Sequence, residues 1–267
     1  MEGRNVAIES RWAENRYDRL PTLAADLVRR QVAVIVANTP AAPAAKAATS
    51  TIPVVFLSAT DPVQAGLVAS LSRPGGNLTG VSILNVELGP KRLELLYGLL
   101  PGSTTLALLI NPKHPAAKTM SQELQGAART LGLQLHVLQA GSDPELENAF
   151  ASLRQLPAAG IVIGPDPFFV SRSEQLASLA LRYQVPAISP YRPFAVAGGL
   201  ISYGGSLGEP FRQVGIYAGR ILSGEKPADL PVQQSTKLEM IINMKAVKAL
   251  GLTVPLPLLG RADEVIE

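Results

Sequence analysis

A repeat constrains this chain more than any other feature. The stretch from Asn38, NTPAAPAAKAATSTIPVVFLSATDPV, and the stretch from Gly164, GPDPFFVSRSEQLASLALRYQVPAISPYRPF, pass through the same events. Each has a proline-bearing polar loop, a helical run, a short apolar run ending in serine, and a second proline turn. Each then crosses a Gly-Gly turn into a short strand, LTGVS from Leu78 and LISYG from Leu200. Self-similarity over about half the chain predicts two units of one architecture. Val54 to Leu57 and Gly160 to Ile163 are continuous apolar runs of the kind a parallel sheet buries on both faces. Alternating with helical periods, they predict α/β units with parallel, doubly wound sheets.

Read in order, Asn5 to Glu9 alternates as a strand, Tyr17 to Arg30 has helical spacing, and Val32 to Val36 reads as a strand. Ala41 to Ser50 reads as a small-residue helix and Val54 to Leu57 as the next strand. Asp61-Pro62 then has the form of an N-cap with proline at the first helical position. A helix starting there, at the carboxyl end of a parallel strand, would offer backbone N–H groups and a positive dipole end to an anion. Further on, strands are expected at Thr105 to Ile110, Leu133 to Gln139, Gly160 to Ile163 and Pro186 to Ser189. Helices are expected at Ala116 to Leu131, Pro144 to Leu156 and Ser171 to Tyr183. Glu209 to Leu222 is a helix stopped by Gly224, Leu238 to Asn243 a strand, and Met244 to Leu250 a short helix, with Leu252 to Glu267 wrapping the surface.

The second copy opens with a strand and helix, Thr105 to Leu131, that have no counterpart ahead of Asn5. The expectation is that the first β–α unit of the N-terminal lobe, with a signal peptide, lies upstream. The sheet edge so left open would suit pairing with a second copy as a homodimer. The lobes are then residues 1–83 with 205–235, and residues 84–204 with 236–267.

Composition removes several function classes. The chain has no cysteine, which excludes disulfides, zinc–thiolate sites and thiol catalysis. The formal charge of +3 is not gathered into a stripe: the longest basic runs are pairs such as Arg29-Arg30 and Lys91-Arg92, so no nucleic-acid partner is expected. No apolar run reaches the roughly 18 residues of a membrane span. Gly204-Gly205-Ser206-Leu207-Gly208 matches G-x-S-x-G, but both histidines, His114 and His136, precede Ser206, the reverse of the hydrolase order. The histidines read as exposed loop and strand residues without partners at metal-ligand spacing. There is no Walker A or G-x-G-x-x-G pattern, and neither a cofactor nor a metal is expected.

What remains is a set of polar residues at the carboxyl ends of parallel strands, where doubly wound folds bind ligands. In the first copy these are Asn38 and Thr39, then Ser58, Ala59, Thr60 and Asp61. In the second they are Asp166 with Phe168, then Ser189, Tyr191 and Arg192, while Tyr203 ends the strand leading out of the copy. Their matched placement predicts a shared small-molecule site. The competing readings are a serine hydrolase using Ser206 and the ligand-sensing part of a regulator.

Several of these stretches carry a resemblance. Tyr17-Asp18-Arg19-Leu20-Pro21, Thr60-Asp61-Pro62-Val63, Arg73-Pro74-Gly75-Gly76-Asn77-Leu78-Thr79-Gly80, Ala197 to Gly204 and Ala249-Leu250-Gly251-Leu252-Thr253-Val254-Pro255 resemble the ABC-transporter substrate-binding proteins of the tryptophan/tyrosine-binding type. The resemblance implies a type I periplasmic-binding fold of two Rossmann-like (flavodoxin-like) lobes joined by three crossings, with a small ligand clamped between them. It implies no enzymatic step, a periplasmic location and an ABC permease as membrane partner. The family's ligand loops fall on Asn38-Thr39, Ser58 to Asp61, Asp166 and Tyr191. The ligand so implied is a small carboxylate such as an aromatic amino acid or aromatic acid. At Pro165-Asp166-Pro167-Phe168 the chain departs from the Asp-Asn-Thr of tryptophan-type members.

Overall fold

The computed structural model describes residues 5–267. A 3₁₀ turn at Tyr17–Arg19 leads into α1 (Leu20–Arg29), followed by β1 (Ile35–Asn38), α2 (Ala41–Ala48), β2 (Val54–Ser58) and β3 (Leu78–Ser82). Next come α3 (Gly89–Leu99), β4 (Thr105–Ile110), α4 (Ala117–Thr130), β5 (Gln134–Gln139), α5 (Asp143–Ser152) and β6 (Ile161–Ile163). The chain continues through α6 (Pro167–Ser171), α7 (Ser173–Arg182), β7 (Ala187–Ser189), α8 (Arg192–Val196), β8 (Ile201–Gly205) and α9 (Gly208–Leu222). It closes with β9 (Gln233–Gln234), β10 (Leu238–Asn243), α10 (Met244–Ala249), α11 (Leu256–Leu259) and β11 (Glu264–Ile266). Two compact units result: Met1–Ser82 with Phe211–Gln233, and Ile83–Pro210 with Gln234–Glu267. Among the described residues no helix is long and apolar enough to cross a membrane.

The N-terminal unit holds a four-stranded sheet in the order β1-β2-β3-β9, with β1, β2 and β3 parallel. All five residues of β2 are buried, as its apolar run requires. Ile35, Ala37, Val54, Phe56, Leu67, Val68, Leu78 and Val232 form the core of this unit. The returning chain is tied down by polar bonds: the Thr79 hydroxyl donates to the Leu230 carbonyl at 2.6 Å, and the Tyr217 hydroxyl to the Pro231 carbonyl at 2.6 Å. Gly80 is required within β3, because a Cβ there would lie 2.1 Å from the Phe56 carbonyl oxygen.

Three expectations fail in this unit. Asn5 to Glu9 is not a strand; only Val6 makes an isolated bridge, and Ile8 is 62% exposed. Alternation marks a strand only where a neighbour pairs with it, and here Glu9 instead makes ion pairs with Arg11 and with Arg30 after α1, each at 3.1 Å. The strand expected at Val32 to Val36 starts three residues later. Gln31 turns the chain in a left-handed conformation (φ 52), Val32 N–H bonds back to Leu27, and pairing begins only at Ile35 opposite Val54. The helix expected from Asp61 is also absent, for reasons that bear on the site below.

The C-terminal unit holds a seven-stranded sheet in the order β11-β10-β8-β7-β6-β4-β5. Strands β5, β4, β6, β7 and β8 are parallel, and β10 runs antiparallel to β8. Strand β4 shows why its run is continuous: Leu106, Leu108 and Ile110 pack into one core layer, Ala107 and Leu109 into the other. Helix α3, in a segment to which the sequence reading assigned no element, buries Leu93, Leu95, Leu96 and Leu99. The tail does more than wrap the surface. It adds edge strand β11, parallel to β10, with Asp263 accepting from Met240 N–H at 2.7 Å just before it.

Candidate functional site

In the N-terminal unit, β1 ends in Asn38, which is exposed, and Thr39, which is half-buried; β2 ends in Ser58, fully buried. These ends bond to each other. Thr39 N–H donates to the Leu57 carbonyl at 3.0 Å, and Ala59 N–H donates to Thr39 Oγ1 at 3.0 Å. The Ser58 hydroxyl donates to the Thr60 carbonyl at 2.8 Å and accepts from Thr60 N–H at 3.2 Å; the Ser82 hydroxyl also donates to the Thr60 carbonyl at 3.2 Å. The backbone donors of Ala59 and Thr60 are thus committed inside the loop.

Asp61 caps as expected, yet no helix follows. Its Oδ1 accepts from Val63 N–H at 2.8 Å and Gln64 N–H at 3.2 Å. One turn forms, and the chain then leaves through Gly66 in a left-handed conformation (φ 67), with Leu67 N–H bonding back to Pro62. Leu67 and Val68 enter the core at 5% and 6% exposure, and that burial outweighs continuing the helix. The N–H groups expected to meet an external anion face the Asp61 carboxylate itself.

In the C-terminal unit the same dipeptide behaves differently. Asp166, 1% exposed, caps α6 by accepting from Phe168 N–H at 2.7 Å. Pro167 follows as the first helical residue, and α7 continues the chain after Arg172. Phe168 and Phe169 are buried with ring centroids 5.7 Å apart, and the Arg172 guanidinium lies 5.5 Å from the Phe168 ring centre. Tyr191, 7% exposed, follows β7, and its N–H donates to Ser189 Oγ at 3.4 Å. Burial pushes the Tyr191 hydroxyl up to about 12; the Asn85 amide and Arg92 oppose that shift, and the Asp166 carboxylate adds to it. Asp166, Tyr191, Asn85 and Arg92 therefore belong to one electrostatic neighbourhood. Tyr203, half-buried on β8, joins it by accepting from Arg92 at its carbonyl, 3.2 Å away.

Arg92 and Asn85 are the members that sequence reading missed. Arg92 is 1% exposed, and burial lowers its guanidinium to about 10, so it stays charged at neutral pH. A signal was available: Arg92 precedes Leu95, Leu96 and Leu99 by three, four and seven positions, the spacing of one helix face. An arginine on an apolar stripe is a buried polar group that calls for partners. His114 is a correction of the opposite sort, because the expected exposed loop histidine is 3% exposed. Its Nδ1 accepts from Ala116 N–H at 3.1 Å just ahead of α4, and burial lowers its pKa to about 4. Arg192 pairs with Glu264 through Nη2 at 2.9 Å. A hollow of about 420 Å³ is lined by Pro190, Arg192, Ser202, Gly204, Ser206 and Glu239 among others. A larger one of about 690 Å³ lies along Val170–Gln175 and Arg192–Ala197; neither reaches Asp166 or Tyr191.

Two α/β units with polar loops at the carboxyl ends of parallel strands, joined by three passages of the chain, are the architecture of the type I periplasmic-binding proteins. Residues 1–266 match the family described as ABC transporter substrate binding protein, and the chain belongs to that family. It is similar to a tyrosine-binding protein of Clostridioides difficile (strain R20291), 29% identical over 94% of this chain and 72% of that protein. A conserved domain protein from Vibrio cholerae has a solved structure that superimposes with a TM-score of 0.87 at 28% identity, over 99% of this chain and 88% of that one. A Streptococcus pneumonia ABC domain in complex with L-Trp superimposes at 0.80 with 28% identity, over 93% and 86%. The chain is a solute-binding receptor of an ABC transporter.

Proposed function

We propose that the ligand is an aromatic amino acid, bound by its ammonium at Asp166 and by its ring against Phe168 and Tyr191. The observation that carries this reading is a carboxylate 1% exposed at a strand end, in the same neighbourhood as aromatic side chains exposed by 6% and 7%. A buried carboxylate favours a cation, and flat rings favour an aromatic partner. The tyrosine-binding and L-Trp-complexed relatives support the choice of ligand class.

Of the N-terminal unit by itself, Asn38, Thr39, Ser58, Ala59, Thr60 and Asp61 offer polar groups beyond the ends of β1 and β2, and of the C-terminal unit by itself Tyr203 offers aromatic surface on β8. Thr39 Oγ1 is engaged by Ala59 N–H and the Leu57 carbonyl, and the Ser58 hydroxyl by Thr60, so a ligand oxygen enters by exchange of these bonds. The receptor works in the periplasm, hands its ligand to a membrane permease, and makes or breaks no bond.

The test is a thermal and calorimetric titration with L-tyrosine and L-tryptophan, beside the same rings lacking the ammonium, phenylpropionate and indole-3-propionate. At about 100 times the dissociation constant, a bound amino acid stabilises by about 2.7 kcal/mol. Binding of the amino acids but not of the deaminated acids is expected. Equal binding of both sets would remove Asp166 as the ammonium partner, and no binding of any would remove the ligand class.

A further inference from the structure

Arg92 and Asn85 are spent on the backbone rather than on a surface. Arg92, on the first turn of α3, donates through Nη1 to the Tyr203 carbonyl at 3.2 Å and through Nη2 to the Asn85 carbonyl. Asn85, 0% exposed, accepts at Oδ1 from Gly205 N–H at 2.8 Å. Residues 83–88 and β8 are therefore cross-linked twice, once through the guanidinium and once through the amide. The packing between them is close, most of all at Gly204. A Cβ on Gly204 would lie 2.2 Å from the Pro190 carbonyl oxygen and 2.8 Å from Asn85 Oδ1; one on Gly205 would lie 3.3 Å from the Ile83 carbonyl oxygen.

The place matters because these two segments are where the chain enters and leaves the C-terminal unit. Ile83 follows directly on Ser82, the last residue of β3, and Gly205 lies five residues ahead of the passage at Pro210. A rigid link here sets how the two passages are held relative to each other. One donor of the link, Arg92 Nε, has no hydrogen-bond partner although it is buried. The Asn85 amide also lies beside the Tyr191 hydroxyl. Among the described residues this cluster combines full burial, an unspent donor and bonds to two segments that lie near passages of the chain between the units.

We propose that Arg92 and Asn85 are positioning residues: a clamp that holds residues 83–88 against β8 and conveys the state of Tyr191 to the passages between the units. A ligand group that takes the Tyr191 hydroxyl changes what the Asn85 amide faces, and Asn85 in turn holds Gly205. The unpartnered Arg92 Nε gives the link a spare donor with which to settle into a second arrangement without leaving a carbonyl bare. The link to Tyr191 rests on the ligand reading above, whereas the clamp itself does not.

Hydrogen–deuterium exchange on the ligand-free protein tests the clamp directly. Asn85→Leu and Arg92→Met should each raise exchange by about tenfold or more in residues 83–88 and 201–206 together, with β4 and β6 unchanged. Asn85→Asp, which keeps the acceptor for Gly205 N–H, should restore protection of that amide, while Arg92→Lys, which cannot span both carbonyls, should restore it only in part. Exchange unchanged in these segments, or raised uniformly through β4 and β6, would overturn the clamp. Should Asn85→Leu fail to fold, Arg92→Lys and Asn85→Asp decide it. Titration of the same variants with L-tryptophan then tests the link: a dissociation constant raised about tenfold with Tyr191 intact is expected, and an unchanged one removes it. If the unsubstituted protein binds no aromatic amino acid, the ligand reading falls while the exchange result still judges the clamp.

Discussion

The two Asp-Pro turns set the halves of the molecule side by side. Asp61-Pro62 and Asp166-Pro167 both follow a parallel strand, and each aspartate accepts the N–H two residues on, at 2.8 and 2.7 Å. One leads into a single turn that leaves through Gly66, the other into α6 and then α7. Asp61 is half-buried, whereas Asp166 is 1% exposed and followed by two buried phenylalanines. Equal local chemistry thus yields a solvated loop in one unit and a rigid buried corner in the other. What separates them is the next apolar pair: Leu67 and Val68 reach the core only if the chain turns away, while Phe168 and Phe169 reach it by continuing as helix.

If burial is what distinguishes the units, acid should strike the C-terminal unit first and hardest. His114 titrates near 4 when folded and near 6.5 when unfolded. A base with a depressed folded pKa contributes its stability in full above about pH 6.5, and that stability is lost as the pH falls through about 4, because the unfolded chain binds the proton first. The loss should reach about 3 kcal/mol. Urea unfolding at pH 7 and pH 4 measures it, and His114→Gln should flatten the profile; a profile identical in the variant would mean that the histidine is not the cause.

A smaller effect separates the aspartates themselves. Asp166→Ala should cost about 2 kcal/mol by leaving a buried N–H without its acceptor. Asp61→Ala should cost about 0.5 to 1 kcal/mol, since water can replace a half-buried cap. Thermal unfolding of the two variants makes the comparison, and equal losses would break it. The least effect is expected at the exposed pair of Arg192 and Glu264, where Glu264→Gln should change stability by less than about 0.5 kcal/mol despite the short contact.

Much of the fold was legible along the chain. Thr105 to Ile110 and Leu238 to Asn243 are strands with the boundaries their sequences suggest, the first because a run buried on both faces leaves a continuous apolar signal. The strand-end loops were legible as places in the chain, and less so as chemistry. The donors of Ala59 and Thr60 look available in sequence and are committed in space to Thr39 and Ser58. In sequence Arg92 is one of a basic pair with Lys91, and its burial needed the carbonyls of Asn85 and Tyr203, the latter 111 residues away.

By itself the sequence determined the alternation of strands and helices, the repetition of that pattern, and the capping bonds of Asp61 and Asp166. These depend on residues within a few positions of each other, where backbone sterics and side-chain period decide. Only the tertiary structure decided whether Asp-Pro opens a helix, that His114 is held buried, and that Arg92 and Asn85 join two distant segments. Those outcomes turn on which surfaces exclude water, and exclusion of water is a property of packed neighbours rather than of any stretch of chain.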